Sequence, residues 1–264
     1  MMSPFWIAVI VTTLAGLSTG IGGLFAFNKR TNNKKFLSFA LGLSAGVMIY
    51  VSFIEIFPKA FKSLAEVFPL KQAYIFTTIA FFIGLGLIAL IDLLIPKQHN
   101  PHEVVAGMDQ VATEKKNLLR LGLFTAIAIS LHNFPEGLAT FLATLEAPNV
   151  GITIAIAIAI HNIPEGIAVA IPIFFATNSK KKAIFWAFLS GMAEPVGALV
   201  GIAILWPFIN DYTFGFLFSG VAGIMVYISL DELLPAAERY GEHHISILGL
   251  VTGMIIMALS LVLI

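Results

Sequence analysis

Eight stretches dominated by Leu, Ile, Val, Ala and Phe alternate with short polar interruptions along the chain, near residues 4–27, 36–61, 72–95, 118–145, 150–176, 183–206, 213–236 and 245–264. A helix needs about 20 predominantly apolar residues to cross the hydrocarbon core of a bilayer. The pattern therefore predicts an all-α integral membrane protein with eight transmembrane helices in one domain over 1–264, and a longer polar loop at 96–117. The first stretch is expected to be retained rather than cleaved as a leader. No basic residue precedes it, it is long for a signal sequence, and Lys29 and Arg30 follow it.

Composition agrees with the pattern. Only 11% of residues are charged and mean hydropathy is +0.94, whereas a soluble domain carries about 25% charged residues. Formal net charge is zero, so no nucleic-acid partner is expected; the lipid bilayer is the evident one. The absence of cysteine excludes disulfides and thiolate metal sites.

The basic residues give an orientation. With the N-terminus outside, twelve of the fifteen Lys and Arg fall in inner segments, and only Lys59, Lys62 and Lys71 fall outside. By the positive-inside rule, both termini face away from the cytoplasm in a multi-pass protein of the cell's inner (plasma) membrane. The 96–117 loop is then cytoplasmic.

Two internal repeats add architecture. "AIAISLHNFPEGLAT" (126–140) matches "AIAIAIHNIPEGIAV" (155–169) at ten of fifteen positions. "AGVMIYVSFIEIFPKA" (45–60) matches "AGIMVYISLDELLPAA" (222–237) at eight of sixteen. Each pair joins spans of opposite direction, which predicts a 3+2+3 inverted-repeat arrangement of the kind found in many secondary transporters. Small residues four apart (Gly16/Gly20, Gly197/Gly201, Gly249/Gly253) are expected to serve close helix packing.

The repeated hexapeptide His-Asn-x-Pro-Glu-Gly carries the chemistry. Residues four apart share a helix face, so His132 and Glu136 point one way on span 4, as do His161 and Glu165 on span 5. Asn133 and Asn162 flank those faces, and Glu194 of "GMAEPVGALVG" lies at similar depth in span 6. An acidic side chain at a helix centre is disfavoured by about 2.5–3.5 kcal/mol on insertion scales. Three would cost roughly 8–10 kcal/mol, comparable to a protein's net stability. No Lys or Arg lies between Arg120 and Lys180, or between Lys182 and Arg239. The compensating charge is therefore expected from outside the chain, as protons or metal cations. Imidazole with carboxylate suits zinc; carboxylate and amide oxygens suit Fe²⁺ or Mn²⁺. One site would take His132, Glu136, His161 and Glu165. An adjacent site would take Asn133, Asn162 and Glu194, with Glu136 and Glu165 as bridges. Pro135 and Pro164 each remove a backbone hydrogen bond, and with the following glycines they predict a local break beside a wet path.

These residues resemble the ZIP (Zrt-, Irt-like) metal transporter family, most closely its bacterial branch, over essentially the whole chain. The resemblance implies import of zinc as a transported substrate rather than a prosthetic group, with tolerance of other divalent cations such as iron, manganese, cobalt and cadmium. It implies the same two sites, on His132, Glu136, His161 and Glu165, and on Asn133, Glu136, Asn162, Glu165 and Glu194. It implies no enzyme activity. A homodimer is compatible with the sequence and not fixed by it. An intramembrane zinc hydrolase is the alternative from another class, but the usual HExxH signature is missing. A proton-coupled carrier of organic solutes would want an arginine at mid-span, and none is present.

Outside the centre, Glu55 lies toward the outer end of span 2 and Glu232 toward the inner end of span 7. At 1.5 Å per residue each sits about 10 Å from the midplane. With Asp231 beside Glu232, these three are expected as entry and exit ligands. His99, His102, His243 and His244 are read as loop or interfacial residues without an assigned role.

Overall fold

A computed structural model describes residues 3–24, 33–94, 110–205, 210–240 and 242–263. Within these, eight helices are long and apolar enough to cross a membrane: α1 Pro4–Leu24, α2 Lys34–Ala65, α3 Leu70–Leu93, α4 Ala112–Glu146, α5 Gly151–Thr177, α6 Lys180–Ile204, α7 Asp211–Arg239 and α8 His243–Leu263. No strand occurs among the described residues. Lys29, Arg30, His99 and His102 lie outside them.

Burial sorts the helices. The apolar window of α5 is 72% buried, whereas those of α3 and α8 are 28% buried. The hexapeptide helices thus form the centre, and α3 turns large side chains such as Ile79, Phe82, Ile83 and Leu87 outward. In lipid these exposed groups carry no hydrophobic penalty, and association rests on close van der Waals packing. Glycines supply it. A Cβ on Gly46 would strike the Leu250 carbonyl, and one on Gly253 the Leu43 carbonyl, so α2 and α8 pack backbone to backbone. The contacts of Gly84 and Gly223 do the same between α3 and α7.

The order of contacts gives relative directions. Along α2 and α8 they advance together, with Gly42 on Ser246 and Gly46 on Leu250, so the two run parallel. Likewise Asn133 and Gly137 meet Ser190 and Glu194, making α4 and α6 parallel. By contrast Gly16 meets Gly191 while Gly23 meets Ala187, so α1 and α6 are antiparallel. Alternating spans require this parity.

The structure differs from expectation at the prolines. No break occurs at Pro135 or Pro164, since α-helix continues through both, over Gln110–Glu146 and Pro148–Thr177. A proline deletes one rung of the ladder, while the flanking rungs and the surrounding spans hold the helix. The hexapeptide side chains consequently keep helical register. The helix of α4 also begins eight residues before the predicted span. Its polar first turns emerge from the apolar zone, and Lys34 reaches Glu114 at 2.8 Å.

Interruptions fall instead in α6, at Met192 and in a π-turn over Gly201–Leu205, and at the other repeat. A widened π-turn spans Ser52–Ile56 in α2 and another spans Ile228–Leu233 in α7. The same bond defines each: Phe57 N–H donates to Ser52 O, and Leu234 N–H to Ser229 O. Pro58 and Pro235 follow directly, and widening the turn moves away the carbonyl that a proline ring would strike. Ser52 and Ser229 return their hydroxyls to Met48 O and Met225 O, at 2.6 and 2.8 Å. The two repeats thus share backbone as well as sequence.

Candidate metal site

Helical register places His132, Asn133 and Glu136 on one side of α4, facing His161, Asn162 and Glu165 of α5. All six are buried, as is Glu194 on α6. The imidazoles and carboxylates cross between helices. His132 Nε2 is 3.2 Å from Glu136 Oε2 and 3.5 Å from Glu165 Oε1, and His161 Nε2 is 3.0 Å from Glu136 Oε1. The two imidazole centroids are 6.2 Å apart. Glu136 therefore touches both histidines, and Glu165 reaches across to the histidine of the opposite copy. His132, His161 and Glu165 each present a ligand atom within 4.8 Å of the others.

The asparagines are held by backbone. Asn133 Nδ2 donates to Ser190 O on α6 at 3.4 Å, and Asn162 Nδ2 donates to Ala15 O on α1 at 3.0 Å. Asn162 Nδ2 also donates to Glu194 Oε1. Spending the amide hydrogens this way leaves both Oδ1 atoms without partners. Both ring nitrogens of His132 and of His161, Glu136 Oε2, both oxygens of Glu165 and Glu194 Oε2 are also buried without a hydrogen-bond partner. Buried polar atoms are nearly always paired, and each orphan costs about 1–3 kcal/mol, more when charged. One nitrogen of each neutral imidazole carries a proton, so these groups on three helices offer two imidazole lone pairs together with the amide and carboxylate oxygens. Among the described residues, the two imidazoles are the only basic groups paired with Glu136 and Glu165. That arrangement accepts cations.

The structure thus brings together His132, Glu136, His161 and Glu165, with Asn162 bonded to Glu194 beside them and Asn133 held against α6. The mouths are more complicated. Glu55 Oε1 is paired with Lys59 Nζ at 2.6 Å, one turn along the same helix, while its Oε2 is buried and unpartnered. Asp231 and Glu232 join Asp92 of α3 in a second group of ligand atoms within 4.8 Å of one another. Arg120 of α4 pairs with Asp92. Sequence reading missed Asp92, although a lone acid in "LIALIDLLIP" was the signal. His243 pairs with Glu238 at 2.8 Å on an exposed face and does not join either group.

Eight membrane-length helices around a buried cluster of imidazoles, amides and carboxylates suit a multi-pass membrane transporter, the class to which the comparisons with known proteins assign the chain. A family model described as ZIP zinc transporter matches residues 96–261. The chain is 58% identical to zinc transporter ZupT of Chlorobium limicola, over 98% of both chains. It is 57% identical to zinc transporter ZupT of Streptococcus mutans, over 100% of this chain and 99% of that one. With zinc transporter ZupT of Oceanobacillus iheyensis it shares 56% identity, over 99% of each. The chain belongs to the ZIP zinc transporter family.

Proposed function

We propose that the protein carries zinc into the cytoplasm through two adjacent cation sites at the centre of the membrane, and that iron, manganese, cobalt and cadmium ions also use them. The relatives' names as zinc transporters favour zinc as a substrate. The observation that carries the two-site reading is the set of buried, unpartnered ligand atoms on α4, α5 and α6. Nitrogen and oxygen donors on His132, Glu136, His161 and Glu165 match zinc's preference. The amide and carboxylate oxygens of Asn133, Asn162 and Glu194 add an oxygen-rich neighbour suited to harder ions, with Glu136 and Glu165 bridging. Every proposed ligand comes from one chain, so a homodimer would add nothing to the chemistry.

Transport further requires alternating access from two sides. The shared π-turns of α2 and α7, in helices of opposite direction, support the inverted 3+2+3 arrangement that permits it. In this reading Glu55 is an outer way-station, and Asp231 with Glu232 an inner one, joined by Asp92. Both termini lie outside the cytoplasm of a cell whose inner membrane holds the protein.

Proteoliposome uptake of labelled zinc, in competition with unlabelled iron, manganese, cobalt and cadmium, tests the proposal. Saturable zinc uptake, inhibited by all four, is the expected result. Uptake that no competitor reduces would restrict the protein to zinc, and absence of uptake by correctly inserted protein would remove the proposal.

A further inference from the structure

The approach of α1 to α6 fixes a register between them. A Cβ on Gly16 would strike the Gly191 carbonyl, and one on Gly191 the Gly16 carbonyl. Gly22 of α1 packs on the Ile163 carbonyl within the α5 hexapeptide, as Gly197 of α6 packs on the Phe134 carbonyl within the α4 hexapeptide. The asparagine bonds repeat the relation, since Asn162 binds the carbonyl of Ala15 and Asn133 that of Ser190. All three pairs of positions on α1 and α6 share one constant offset. In that register the residue of α1 corresponding to Glu194 is Thr19.

Thr19 is fully buried and its hydroxyl has no hydrogen-bond partner. A buried helical threonine can return its hydroxyl to the carbonyl one turn back, as Thr77, Thr140 and Thr144 do here. Thr19 does not. Its side chain lies against Gly191, just as that of Glu194 lies against Gly16 from the opposite helix. Glu194 is bonded to Asn162. On the other side of the register, Asn133 Oδ1 and Thr19 Oγ1 are both left without partners.

We propose that Thr19 is the neutral counterpart of Glu194, its hydroxyl oxygen being a further ligand for a cation on the Asn133 side of the cluster. This rests on reading the cluster as the transported cation's site. The hydroxyl gives that side an oxygen donor while keeping the centre at three carboxylates, which favours release over retention. Its loss should weaken binding of an oxygen-preferring ion more than binding of zinc, which retains its imidazoles. Thr19 is thus a specificity-determining residue.

Equilibrium dialysis of the purified full chain against zinc and against manganese tests this. Thr19→Val keeps the shape and removes the oxygen. It should weaken manganese binding about tenfold and zinc binding by less than about threefold, the scale of one neutral polar contact. Thr19→Ser, which restores the oxygen, should behave as the parent does. Thr19→Glu should bind both ions more tightly and turn over more slowly in vesicles. Unchanged affinities and an unchanged zinc-to-manganese ratio in both Val and Glu variants would overturn the proposal. Should the Val variant not fold, unchanged affinities for both ions in the Glu variant suffice to do so. A Glu136→Ala control that still binds zinc normally would instead sink the underlying site, so the two failures are distinguishable.

Discussion

The carboxylates at the centre and those at the mouths are alike in chemistry and opposite in circumstance. Glu55 has Lys59 one turn away, and Asp92 has Arg120. Lys59 is exposed and Arg120 partly so, while Asp92 is buried. Among the described residues Glu136, Glu165 and Glu194 have no such neighbour, and the donors they meet are two imidazoles and an amide. A carboxylate with a built-in cation can be buried cheaply and binds a metal only after exchanging that partner. One without a cation is costly until a metal or proton arrives. In the proposed function the centre is therefore where the chain binds, and the mouths are where it passes ions on.

Removing the unpaired carboxylates should have the largest effect. Glu136→Ala and Glu165→Ala should each abolish transport of every divalent cation in vesicle uptake assays, because both are proposed to serve both sites. Near-normal zinc uptake by the two variants would erase the distinction between centre and mouth.

Acidification should come next. A ligating imidazole must be neutral and a ligating carboxylate ionised, so protons compete with the metal. Lowering the pH from about 7.5 to about 5.5 should weaken zinc binding at least tenfold. The sign is fixed by mass action, since bound metal excludes the proton and added protons exclude the metal. Calorimetric titration giving equal affinities at both pH values would contradict histidine ligation.

Changes at the mouths should be smaller. Glu232→Gln should slow zinc uptake severalfold while leaving equilibrium binding at the centre intact, and Asp231→Asn should do so more weakly. Equal losses in binding and rate would place these residues in the central site. The smallest effect is expected for Lys59→Ala. A pair one turn apart on a helix contributes only about 0.3–0.5 kcal/mol, so thermal stability should barely change. Freeing Glu55 should modestly raise uptake at low zinc concentration. A large drop in stability would show that the pair holds the α2 turn rather than tempering an entry ligand.

The centre was legible in the sequence because its signal is local and expensive. Histidine and glutamate four apart can only share a helix face, and two such pairs without Lys or Arg in an apolar run have no structural excuse. The helices were legible for the same reason, as runs of sufficient length. Pro135 and Pro164 misled because the outcome of a missing rung depends on what packs around the helix, whereas the similar prolines at 58 and 235 do follow widened turns. Asp92 and Arg120 were hidden since their pairing joins α3 to α4 across a long loop. Thr19 was invisible, because nothing local sets it apart from the other buried threonines and only the three-dimensional register places it opposite Glu194.

Two adjacent cations bridged by Glu136 and Glu165 are central to the proposed function. Equilibrium dialysis of the purified protein against labelled zinc counts them directly. The prediction is two saturable zinc ions per chain, both lost in Glu136→Ala and one retained in Glu194→Ala. A single ion per chain, or two that persist without Glu136, would contradict it.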